Sequence, residues 1–138
     1  MTLENRVRWL GYALYAIGSI FIVGVPLLMW LWHDGFGWDP AQSEYEQMIM
    51  GVYVTLGVFL VRAARNPMQH TSLIWFTVWS SFVHGVIMLL QALVDDSEHI
   101  NLLGDIPALF VVAVVLAVLT PRGTGVPALR STESVDAP

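Results

Sequence analysis

The chain has 138 residues, of which 56% are hydrophobic and only 12% charged, and its mean hydropathy is +0.64. A water-soluble domain carries about twice that share of charge, so lipid is the expected solvent. The lack of cysteine removes disulfides, thiolate metal sites, iron–sulfur clusters, covalent c-type haem attachment and cysteine nucleophiles, and six scattered arginines under a net charge of −5 exclude nucleic-acid recognition.

The opening Arg6 and Arg8 followed by an apolar run imitate a secretory signal. The run is too long for one, however, and ends in Trp30-Leu31-Trp32-His33-Asp34 with no small-residue cleavage pattern. It therefore reads as a retained first span, about residues 7–32, which as a helix covers about 39 Å. Gly24 and Pro26 predict a kink, because proline removes a backbone donor and its ring clashes with the preceding turn.

Residues 33–44 mix turn formers, acids and aromatics, as an interfacial loop does, and Ser43 is placed to cap the next helix. The second span is expected over about 45–62, with Gly51, Thr55 and Gly57 offering thin surface for close helix contact. Asn66-Pro67 disfavours helix before the proline and predicts a turn into a third span over about 70–94. After the acidic loop Asp95 to Asn101, Asp105 suits a helix cap and Pro107 a first turn, opening a fourth span over about 103–120 with no polar side chain from Ala108 to Leu119. The tail, residues 121–138, is rich in Gly, Pro, Ser and Thr and is expected to be disordered.

The charges fix an expected orientation. Arg6, Arg8, Arg62, Arg65, Arg122 and Arg130 all fall on the side of the termini, whereas eight acids, from Asp34 to Asp105, fall in or beside the two opposite loops. The positive-inside rule makes the arginine side cytoplasmic. The expected fold is an all-α membrane protein, a four-transmembrane-helix antiparallel bundle in the plasma membrane with both termini in the cytoplasm, the third helix central and the fourth on the outside or at a subunit interface.

The third span concentrates the chemistry. At 100° per residue His70, Thr77, Ser81, His84, Met88 and Gln91 share one stripe, with the two histidines about 21 Å apart along the axis. An ionisable side chain in a bilayer is costly and faces the protein interior or a water cavity, which makes His84, near mid-membrane, the leading candidate. Its plainer role is a neutral imidazole bonded to a tyrosine, serine or carbonyl of a neighbouring helix. Trp75 and Trp79 lie on a face beside the stripe, where they stack on a ring-bearing ligand or meet lipid. Trp30, Trp32, Phe36 and Trp38 at one boundary and Trp9 at the other fit an aromatic belt.

Histidines 14 residues apart also suit two stacked haems, but each iron needs a second histidine from a facing helix, and only His33 and His99, both in loops, remain. These two histidines with Asp34, Asp39, Glu44, Glu46, Asp95, Asp96 and Glu98 offer oxygen and imidazole ligands for a divalent metal without any fixed-spacing motif; as plain solvated loop acids they need no partner. No phosphate-binding glycine loop, nucleophile triad or paired-carboxylate motif is present.

The pattern Asn66-Pro67, His70, Trp79, His84-Gly85, Met88 and Gln91 resembles small four-span bacterial membrane proteins that form a family of unknown function. The resemblance implies the topology and a bacterial inner membrane, and no site. Three functions stay open: a non-enzymatic membrane protein acting as a homo-oligomer or accessory subunit of a membrane complex; a haem, pigment or quinone binding module on the third helix, with His84, His70, Thr77, Ser81, Gln91, Trp75 and Trp79 as its polar core; and a small transporter or channel with His84 in its path.

Overall fold

Four helices long and apolar enough to cross a membrane make up almost all of the described chain: Leu3–Leu31, Glu44–Ala63, Pro67–Val94 and His99–Leu119. A computed structural model describes residues 1–32 and 43–121, and among them there is no strand. The expected contacts of Phe36, Trp38, His33, Asp34 and Asp39, the cap at Ser43 and the tail from residue 122 lie outside the described residues and side chains.

The first span has three parts: α1 (Leu3–Ser19), a π-helical turn (Ile20–Gly24) and α2 (Val25–Leu31). Thr2 caps α1 by accepting from the Asn5 backbone N–H, with Glu4 in the first turn paired to Arg8 at 3.3 Å. Ahead of Pro26 the backbone lengthens its turn rather than breaking: the Val25 N–H donates to the Ile20 carbonyl, five residues back. Such a turn inserts one extra residue and rotates the helix beyond it: Leu10, Leu14 and Ile17 are buried in α1 and Phe21 within the turn, while α2 buries no residue fully.

The second span is α3 (Ser43–Ala63), and the third is a 3-10 turn (Pro67–His70) continued by α4 (Thr71–Val94). A second 3-10 segment (Asp96–Leu102) leads into α5 (Asp105–Leu119). Asp105 is the first residue of α5 rather than its cap, a position taken by Gly104 without a side-chain bond.

α1 packs on α3, and α4 packs on α5. The first contact is backbone to backbone: a Cβ on Gly18 would lie 2.7 Å from the Gly57 carbonyl oxygen, and one on Gly57 the same distance from the Gly18 carbonyl oxygen. Gly51 has nothing within 4 Å of where its Cβ would be, and exposed Thr55 returns its hydroxyl to the Gly51 carbonyl. Of the three small residues expected at this contact, only Gly57 makes it. The two helix pairs meet in one core through Leu10, Leu14, Leu60, Ile74 and Leu116, all fully buried.

Arg6 ties the first and fourth spans together. Its Nε donates to the Val118 carbonyl at 3.1 Å and its Nη2 to the Val118 and Thr120 carbonyls, which are among the last acceptors of α5 and have no partner within the helix. Arg6→Ala is expected to cost about 1 kcal/mol, since the bonds are charge-assisted but partly solvated, and thermal unfolding of the detergent-solubilised protein against wild type measures it. A loss no larger than for Arg8→Ala, whose partner is a surface carboxylate, would contradict this tie.

Candidate functional site

Beyond the leucine-rich core the helix pairs part around an interior cavity of about 390 Å³, within the range of small-molecule sites. Most of its wall is aliphatic, but four polar side chains reach it: Glu46, Tyr53, His84 and Asp105. Helical period places them. Glu46, Ile49, Met50 and Tyr53 are spaced three, four and seven residues apart on one face of α3; His84 and Met88 are four apart on α4; Asp105, Ala108, Leu109 and Val112 line one side of α5. Glu46 and Tyr53 are therefore separated by about 10 Å along the helix. The two carboxyl groups mark one end of the cavity, and the phenol and imidazole lie deeper.

Tyr53 and His84 form a fixed pair. The phenol oxygen is 2.6 Å from His84 Nδ1, and the rings lie nearly parallel at a centroid separation of 6.0 Å. Two tautomers fit: Tyr53 O–H donates into an unprotonated Nδ1, or Nδ1–H donates to the phenol oxygen. On its other side the Tyr53 ring receives Phe21 edge-on, with centroids 5.0 Å apart and planes at 81°, a favourable aromatic geometry. Phe21 is buried at 4% exposure and belongs to the π-helical turn. The pair offers a bound molecule both donor and acceptor capacity, and among the described residues no arginine lines the wall.

The predicted polar stripe of the third span is only partly assembled. His84 and Met88 line the cavity. Thr77 and Ser81 are buried on the same helix but do not reach it; Thr77 lies about 10 Å along the axis from His84, and its hydroxyl bonds the Leu73 carbonyl at 2.9 Å. His70 and Gln91 are exposed, a correction to the stripe. His70 closes a 3-10 turn, whose tighter winding breaks the α-helical phase, and Gln91 lies near the helix end, away from the cavity. Trp79, 61% exposed, meets Phe82 edge-on, and Trp75 packs against the leucine-rich core; neither lines the cavity, because they stand about 140° and 180° around the helix from His84.

With His70 outside the cavity, the two histidines do not frame stacked cofactors. Among the described residues no three His, Asp or Glu side chains are grouped to hold a metal ion. Sequence reasoning did not single out Tyr53 or Asp105 as site residues and offered Glu46 only as one of the loop-side metal ligands. The seven-residue spacing from Glu46 to Tyr53 was a usable signal; the facing of Asp105 was not, since it depends on how α5 is rotated against α1 and α4.

These features define an all-helical chain of membrane type with a mainly apolar interior cavity and a tyrosine–histidine pair in its wall. The chain belongs to a family of unknown function, DUF6632, whose pattern matches residues 5–135. No curated protein and no solved structure matches it.

Proposed function

We propose that the protein is a membrane-embedded binding module for a lipid-soluble, ring-bearing molecule of the quinone class, with a ligand oxygen at the Tyr53–His84 pair. The observation that carries this reading is the cavity itself, apolar in most of its wall and furnished deep inside with one rigid hydrogen-bonding pair beside the Phe21 ring. Apolar walls with few, fixed polar groups are how small-molecule sites combine affinity with orientation. A carbonyl oxygen suits a phenol or imidazole N–H donor. An anionic head group would meet the carboxyl groups of Glu46 and Asp105.

In this reading the four spans alternate in direction, with the arginines cytoplasmic, so the cavity occupies the outer half of a bacterial inner membrane. A conducting path has less support. The half of the bundle on the Arg6 side is filled by Leu10, Leu14, Leu60, Ile74 and Leu116 at zero exposure, and ion or proton passage needs polar groups spaced through the whole membrane.

A decyl-substituted benzoquinone titrated into the protein in neutral-lipid nanodiscs tests the proposal. Saturable binding at one cavity per chain is expected, above the linear partitioning of empty nanodiscs. Uptake indistinguishable from empty nanodiscs would reject it.

A further inference from the structure

A lining residue that is also exposed marks an opening, and among the described residues four such residues lie along the first and fourth spans. Ala16 and Ile20 on the first span and Ala108 and Val111 on the fourth all line the cavity, and all four are exposed, Ile20 at 52% and Val111 at 60%. Below this level the same two spans are joined through Leu14, Leu116 and the Arg6 bonds. The seam between them therefore opens part-way along the helices.

Among the described residues the other walls carry close contacts. First and second spans touch at Gly18 and Gly57 with no room for a methyl group. Third and fourth spans touch where Phe110 lies 3.2 Å from the Cβ position of Gly85. Between second and third spans, the lining side chains Tyr53, His84 and Met88 are buried or half-buried and bridged by the phenol–imidazole bond. All four rim residues are aliphatic, so the opening gives hydrocarbon a way through and gives water no hydrogen-bonding groups along the way.

We infer that the seam between the first and fourth spans is a lateral portal to the bilayer, and that the ligand is a long-tailed, neutral-headed lipid whose ring sits in the cavity while its hydrocarbon tail passes between Ala16–Ile20 and Ala108–Val111 into the acyl chains. The inference rests on the cavity being a ligand site and adds the route and the tail. Because lipid is as apolar as the portal, the tail gains no hydrophobic energy by lying there; the portal acts by permitting the tail, and blocking it excludes tailed molecules selectively.

The test compares a decyl-substituted benzoquinone with its tail-less parent, with affinities expressed per mole fraction in the bilayer, on wild type, Ala108→Trp and Ala16→Trp in nanodiscs. The two substitutions fill the rim from opposite sides at exposed positions, so that a folding defect in one leaves the other to decide. Wild type is expected to bind both probes. The variants are expected to weaken the decyl probe about 10-fold or more beyond any change in the tail-less probe. Equal affinity changes for both probes, or no change for either, would overturn the portal while leaving the site intact. Failure of wild type to bind either probe would instead remove the underlying site.

Discussion

Gly57→Val is expected to lower stability by about 3 kcal/mol and to abolish quinone binding along with it. A single Cβ at this position would lie 2.7 Å from the Gly18 carbonyl oxygen, 2.9 Å from Ile22 Cγ1 and 3.0 Å from Phe21 Cβ. The nearest of these is backbone, which cannot swing aside, so the first and second spans must separate. Separation moves Phe21 off the Tyr53 ring, one helical turn from Gly57, and through Tyr53 it disturbs the bond to His84. Gly51→Ala is the internal comparison. It sits on the same helix with nothing within 4 Å, and alanine there is expected to be neutral or to add up to about 1 kcal/mol by helix propensity. Thermal unfolding of both variants in one detergent measures the contrast. Equal effects at the two glycines would mean that the close contact of first and second spans does not hold the bundle together.

The second large effect concerns the hydrogen-bonded pair. Tyr53→Phe keeps the ring that Phe21 packs against but removes the hydroxyl, and is expected to weaken quinone binding about 10-fold, the worth of roughly 1.4 kcal/mol. His84→Ala removes the imidazole and leaves the phenol without this partner, and is expected to weaken binding at least as far. Thr77→Ala separates the cavity from the rest of the polar stripe, because Thr77 is buried on the same helix and bonds only its own backbone turn at Leu73. Its binding should match wild type within about 2-fold. Titration of the decyl quinone into all three variants gives the ranking. If Thr77→Ala weakened binding as much as Tyr53→Phe, the buried face of the third helix as a whole, and not the cavity, would be responsible.

The pair also shows where a one-dimensional pattern stops being informative. His84 stands out in the sequence because an imidazole among apolar residues needs a partner, and among its possible partners a tyrosine of a neighbouring helix was expected; which tyrosine was not. Tyr12 and Tyr15 lie on the first span and are exposed at 61% and 60%, although their composition context resembles that of Tyr53. The choice between them depends on the rotation of each helix about its axis. Helical phase relates residues within a helix and carries no information on how one helix is turned against another.

The acids make the same point. Asp105 reads as a cap and Glu46 as a loop-side charge, because Asp near a helix start and Glu near a boundary have those roles by local chemistry. Both instead border the cavity, with Glu46 buried at 9% exposure. The histidine at the start of the third span fails in the opposite sense. His70 has the right spacing from His84, but the proline-initiated 3-10 turn that ends at it takes it out of phase.

By itself the sequence determined that this chain has four helices long and apolar enough to cross a membrane, and it singled out His84 as the ionisable group whose placement in the third span calls for an explanation. Hydrophobic length and the scarcity of charge suffice for that, because they act on each segment separately. Only the tertiary structure decided that Gly18 and Gly57 bring two backbones into contact, that Phe21 of a π-helical turn meets the Tyr53 ring, and that the helix pairs part to leave a cavity. Those outcomes depend on the relative rotation and separation of helices, which are set by packing between residues far apart in the chain.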